Sequence, residues 1–119
     1  MEKSVRFFQR ALGGSLTDEV SVQAKKRLST HFKRNQEWEK AVPIWEEMVS
    51  SNTITKTQLF SFRELAMYFE HKLKNYKDAR RITEEGLVLS MGVSNYYERD
   101  FSHRLDRLKR KIKKQENKP

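Results

Sequence analysis

Phe60 to Leu87, FSFRELAMYFEHKLKNYKDARRITEEGL, is the stretch whose reading decides the fold. Its first half carries Leu65, Ala66, Phe69 and Leu73, an i, i+1, i+4, i+8 spacing that gathers apolar groups on one side of a helix. Lys74-Asn75 then predicts a tight turn. The second half carries Tyr76, Ala79, Ile82, Thr83, Gly86 and Leu87 at three- and four-residue spacing. Lys77, Asp78, Arg80, Arg81, Glu84 and Glu85 fill its other face. The stretch therefore reads as two short amphipathic helices folded back on each other.

An upstream copy appears when Trp38 and Ala41 are laid over Tyr76 and Ala79, an offset of 38 residues. Leu28, Ser29, Phe32, Trp38, Ala41, Trp45 and Met48 then take the places of Leu65, Ala66, Phe69, Tyr76, Ala79, Thr83 and Gly86, with one residue inserted in the second copy between Phe69 and Tyr76. The order has a packing cause. Small residues at Ser29 or Ala66, and at Ala41 or Ala79, let two helix backbones approach while rings fill the space beside them. Over roughly two repeats and part of a third, this pattern resembles the tetratricopeptide repeat. The resemblance implies an all-α fold of about six helices, with antiparallel hairpins stacked as a short right-handed solenoid.

Composition agrees with an all-α expectation. The chain has 119 residues, 36% of them apolar and 11% aromatic, with four Gly and two Pro. This suits one thin, two-layer domain better than a thick globule. There is no cysteine, which removes disulfides, zinc ribbons and thiol catalysis. The N-terminal MEKSVRFFQRALGG has no apolar h-region, and no run is long enough to span a bilayer, so a cytoplasmic setting is expected. The net charge of +9 is concentrated at the ends: residues 1–36 and 91–119 each carry +5, while the middle is near neutral. Such a distribution favours nucleic acid or an acidic protein surface, although a solvated face and a soluble tail account for charge alone equally well.

In chain order, Val5, Phe7, Phe8, Ala11 and Leu12 form an apolar stripe that stops at Gly13-Gly14. Residues 2–13 are read as the trailing helix of a partial repeat whose beginning lies upstream in a longer parent, or else as a capping helix. Repeat one spans 17–51, its first helix capped by Ser15 or Thr17 and its second carrying Pro43, which predicts a kink. Trp45 is expected in the core. Repeat two spans 57–91, with Thr57 as a cap and Gly92 at its C-terminal end. A capping helix over 94–115 carries Tyr97, Phe101, Leu105, Leu108 and Ile112 on one stripe, with a tail at 116–119. Beyond Leu108 the sequence KRKIKKQENKP predicts exposed, frayed turns, dispensable from Lys109 onward.

Catalytic chemistry finds little support in the residues. His31, His71 and His103 are isolated, and Glu46-Glu47 and Glu84-Glu85 are helix neighbours whose side chains diverge. No Gly-rich phosphate loop is present, so neither a catalytic residue, a metal site nor a cofactor is assigned. WEKAVPIWEEM (38–48), ELAMYFEHKLKNYKDA (64–79) and HRLDRLKRK (103–111) resemble the C-terminal helical-repeat region of a bacterial family of predicted ribonuclease H-like exonucleases. In that family a nuclease domain precedes the repeats. None of its acidic metal-binding residues maps onto this sequence, so the resemblance implies an accessory, non-enzymatic role.

In a tetratricopeptide array the first helix of each hairpin lines the concave side, and the resemblance places particular residues there. Counting from Leu28 they are Gln23, Lys26, Thr30, Lys33 and Arg34; counting from Leu65 they are Phe60, Arg63, Met67, Glu70 and His71. The partner-binding set is therefore Lys26, Thr30, Lys33, Arg34, Arg63, Met67 and His71. Its cations suit the carboxylates of an acidic protein or peptide. The leading expectation is a protein-binding scaffold. The alternative is a nucleic-acid-binding accessory domain that uses the basic ends. Rings at packing positions favour protein, because RNA-reading modules offer exposed rings.

Overall fold

Small residues at helix crossings and rings beside them produce an all-helical chain in the computed structural model, which describes residues 18–118. Five α-helices run Asp18–Arg34 (α1), Trp38–Val49 (α2), Lys56–Met67 (α3), Tyr76–Ser90 (α4) and Asn95–Glu116 (α5), and a π-helical turn, Tyr68–Lys72, continues α3. There is no strand among the described residues. The expected count of about six thus becomes five among those residues, because the helix expected over 2–13 and the caps at Ser15 and Thr17 lie outside them. The chain divides after Ser50 into two compact units.

In the first unit, α1 and α2 pack antiparallel. Lys25 pairs with Glu47 near one end, and Lys40 lies 5.6 Å over the Phe32 ring near the other. Leu28, Phe32, Ala41, Trp45 and Met48 form the core, with Ala41 and Trp45 fully buried. Trp38 is half-buried and tilts against Trp45 at 6.4 Å. Helix α2 runs through Pro43 without interruption, so the proline removes one bond to the Glu39 carbonyl but does not end the helix.

The turn between α1 and α2 ends in a left-handed residue, Gln36, at φ 58°. Its amide donates to the Lys33 carbonyl at 3.0 Å, and the Glu37 amide donates to the Phe32 carbonyl at 2.8 Å, a paired closure that satisfies two terminal carbonyls. The turn before α4 has its left-handed residue at Lys74, φ 53°, which is 38 residues on. There the closing bond runs from the Asn75 amide to the Phe69 carbonyl at 2.8 Å, one residue longer than in the first hairpin. The extra residue is taken up by the π-helical turn.

That turn changes which side chains face inward. Leu65 and Ala66 are buried, but Phe69 is half-buried and Leu73 is exposed, whereas Glu70 is fully buried. Phe69 is therefore not the core ring its spacing suggests: it lies in the π-helical turn and is only half-buried. Hydroxyls at the close crossings are satisfied within their own helices. Ser29 donates to the Lys26 carbonyl at 2.8 Å, Ser61 to Thr57 at 3.0 Å, Thr83 to Ala79 at 2.7 Å and Ser90 to Leu87 at 2.8 Å.

Thr55, not Thr57, caps α3. Its side chain accepts from the Gln58 amide at 3.0 Å, while Thr57 is buried in the first turn. Asn75 caps α4 and Ser94 caps α5 in the same way. Gly92 follows α4 at φ 76°, a conformation in which a Cβ would be strained. Ala79 is fully buried on α4, so Ala79→Leu is expected to cost roughly 1–3 kcal/mol by overpacking, read as a lower thermal midpoint.

Candidate binding faces and a buried ion cluster

The first candidate face lies on α1. Gln23, Lys26, Arg27, Thr30, His31 and Arg34 recur every three or four residues and line an open depression of about 380 Å³ along one side of the helix. Of the residues expected to bind a partner, Lys26, Thr30 and Arg34 are thus brought together within the first unit, and Lys33 is not among the lining residues. The Thr30 hydroxyl donates to the Lys26 carbonyl at 3.0 Å, which fixes its rotamer.

The second unit separates the other expected residues. Phe60 is buried. Arg63 turns toward the start of α5: its Nη1 donates to the Tyr96 hydroxyl at 3.0 Å, and its guanidinium sits 5.7 Å from the Phe60 ring centre and 5.5 Å from that of Tyr97. Reversing Arg63 to Glu would therefore disturb packing as well as binding, so Lys26 with Arg34 is the better pair for testing the cationic face. Met67 is half-buried, and His71 is exposed beside a different group of charges.

That group centres on Glu70. The Arg107 guanidinium donates twice to its carboxylate, Nε to Oε2 at 2.9 Å and Nη2 to Oε1 at 2.7 Å. Lys111 Nζ adds 2.7 Å to Oε2, and Arg104 Nη1 adds 3.4 Å to Oε1 while its Nη2 reaches Asp100 at 3.2 Å. Glu70, expected on a partner-facing surface, instead lies within the π-helical turn on the side of the buried Ala66 and meets the i, i+3, i+7 row Arg104, Arg107 and Lys111 of α5. The row is visible in the sequence, but its carboxylate is not, because the partners of Glu70 stand 34 to 41 residues away on another helix.

The electrostatics follow from this arrangement. Burial raises the Glu70 pKa, but hydrogen bonds from Arg107 and Lys111 and the charges of Arg107 and His71 outweigh it, bringing the value from 4.5 down to about 2. The bond to Glu70 raises Arg107 against its own desolvation. His71 is lowered by desolvation, and the charges of Lys111, Arg107 and Arg104 add to that effect against the opposing pull of Glu70.

The cluster also corrects the expectation for the C-terminal segment. Helix α5 continues to Glu116, Ile112 is buried, and Lys111 lies 5.4 Å over the Tyr76 ring as well as on Glu70. A chain ending at Ile112 is expected to keep its helical circular dichroism and its melt nearly intact. One ending at Leu108 loses Lys111 and Ile112 and should lose roughly 2–3 kcal/mol.

A third face lies at the turn from α4 to α5. Val88, Met91, Val93 and Tyr96 are all exposed there, with Tyr96 held by Arg63 and set edge-on against Tyr97 at 5.1 Å. No cluster of three or more His, Cys, Asp or Glu side chains that could hold a metal occurs among the described residues. No helix of the described residues is long and apolar enough to cross a membrane.

No family model and no solved structure matches the sequence. Over 110 residues, 92% of the chain, it is 32% identical to the uncharacterised protein YprB of Bacillus subtilis strain 168, and it spans 26% of that protein's length.

Proposed function

We propose that the chain is a non-catalytic, cytoplasmic protein-binding scaffold whose two hairpins stack as a tetratricopeptide-like solenoid, and that it serves as an accessory region of a larger, nuclease-like protein. The repeat is supported by the left-handed residues Gln36 and Lys74 and by the fully buried Ala41 and Ala79, which recur at the same offset in both hairpins. The accessory role is supported by the match to a fraction of a longer relative and by the resemblance of the repeat phrases.

One observation carries the binding role: four large apolar side chains, Val88, Met91, Val93 and Tyr96, stand exposed within nine residues of chain, beside a guanidinium that orients the tyrosine. Met, Tyr and Arg are enriched at protein interfaces, and exposed apolar clusters need a partner to cover them. The cations of α1 give the first unit a separate face whose sign suits carboxylates.

Labelled peptides that carry a hydrophobic anchor, and labelled acidic peptides, test the two faces separately by fluorescence polarisation. Met91→Asp should abolish binding of the anchor peptides, and Lys26→Glu with Arg34→Glu should weaken that of the acidic peptides at low salt, both without lowering the melt. If no such peptide binds, or if binding survives Met91→Asp, the protein-binding reading fails.

A further inference from the structure

Helix α5 ends in a run of cations that the ion cluster does not use. Arg110, Lys113, Lys114 and Lys118 line an open depression of about 490 Å³ together with Asn117, at i, i+3, i+4, i+7 and i+8. Arg110, Lys113 and Lys114 share one face of the helix, Asn117 and Lys118 follow just past its end, and the buried Leu108 and Ile112 occupy the opposite face. None of the four makes an ion pair among the described residues, and no carboxylate lines the depression. Cations in the last turn offset the helix dipole, which accounts for Lys113 and Lys114, but that effect falls off within one turn and does not reach back to Arg110.

We propose that this face binds the phosphate backbone of double-stranded nucleic acid, without reading its sequence. The inference is independent of the apolar surface at the α4–α5 turn. Helical rise spreads Arg110 to Lys114 over about 6 Å, Lys118 follows just past the helix end, and a duplex presents about one phosphate charge per 1.7 Å of axis, so all four cations can meet phosphates at once. A protein partner is disfavoured because a stable protein interface needs an apolar centre, and no large hydrophobic side chain is exposed from Tyr97 to Lys118. A single strand is disfavoured because its binders stack bases on exposed rings, and the rings of α5 near this segment, Tyr97 and Phe101, are buried. What remains on this face is charge alone, the chemistry of sequence-independent backbone contact.

The test uses the intact chain and fluorescence anisotropy with a labelled duplex, either strand alone, and a labelled polyglutamate peptide, from about 50 mM to about 200 mM salt. The duplex should bind with a log–log salt slope of about −4, set by four phosphate contacts, and more tightly than the single strand or the peptide. Lys113→Gln with Lys114→Gln should reduce the slope by about 2, whereas the charge-matched control Lys56→Gln with Lys77→Gln should leave it unchanged. The proposal is overturned by no duplex binding at the lowest salt, by an equal slope change in the control, or by tighter binding of the single strand. Equal binding of the peptide would make the face a general acidic-protein surface and would overturn it too. Because Met91 lies outside this face, Met91→Asp should leave duplex binding intact, so the failure of either reading can be told from that of the other.

Discussion

Glu70→Ala is expected to destabilise the second unit by roughly 3–5 kcal/mol, the scale for removing one partner of a buried ion pair. The carboxylate is fully buried, and Arg104, Arg107 and Lys111 all converge on it. Its removal leaves their charges against the base of the hairpin and uncouples α5 from the π-helical turn. Glu70→Gln keeps the shape and can accept a hydrogen bond, so it should be less damaging, but it also lacks the charge. Urea unfolding followed by circular dichroism at neutral pH measures both effects. A change within error in Glu70→Ala would mean that the cluster is held by solvent rather than by the protein.

The same group gives the fold an acid sensitivity of definite sign. Its native pKa is lowered to about 2 from 4.5, so above pH 4.5 both states are ionised and the stabilisation is fully present. As pH falls from 4.5 toward 2 the unfolded chain takes up the proton first and the contribution is lost, in total roughly 3 kcal/mol. Other carboxylates titrate in the same window. The informative quantity is therefore the difference between the wild type and Glu70→Gln, which should narrow from neutral pH to pH 2. A constant difference would place the Glu70 pKa near its unfolded value.

Phe101→Ala should cost roughly 3–5 kcal/mol, because the ring is fully buried and fills the space between α4 and α5. The opposite face of that contact is Gly86, where an added Cβ would stand 2.7 Å from Phe101 Cζ and 2.9 Å from Cε1. Gly86→Ala therefore forces the ring aside. Although alanine favours a helix by about 1 kcal/mol over glycine, overpacking of roughly 1–3 kcal/mol should make the variant less stable. Combining Gly86→Ala with Phe101→Leu relieves the clash, so the pair should cost less than the sum of its members. Strict additivity in the thermal melts would mean that the ring moves freely and that the contact does not limit packing.

Gly86 also shows where sequence and structure part. Its position on the apolar stripe of α4 follows from three- and four-residue spacing, but the reason a glycine stands there is the ring of Phe101, fifteen residues on and in another helix.

By itself the sequence determined the helical class, the hairpin turns before Trp38 and Tyr76, and the buried positions Leu28, Ala41, Trp45, Leu65, Ala66 and Ala79. Each rests on local periodicity or turn chemistry, which a residue's neighbours in the chain impose. The need for one inserted residue in the second hairpin was also legible, but its consequence was not. Only the tertiary structure decided that the insertion becomes a π-helical turn, that Glu70, expected on an outer face, is buried against Arg104, Arg107 and Lys111, and that Lys111 and Ile112 belong to the packed part of α5. Arg63 was settled the same way, its guanidinium drawn to Tyr96 and Tyr97 across 33 residues of chain. The physical reason is common to all of these: local periodicity sets which side of its own helix a residue occupies, but what it meets there depends on which other helix is packed against that side, and those partners stand tens of residues away in the chain.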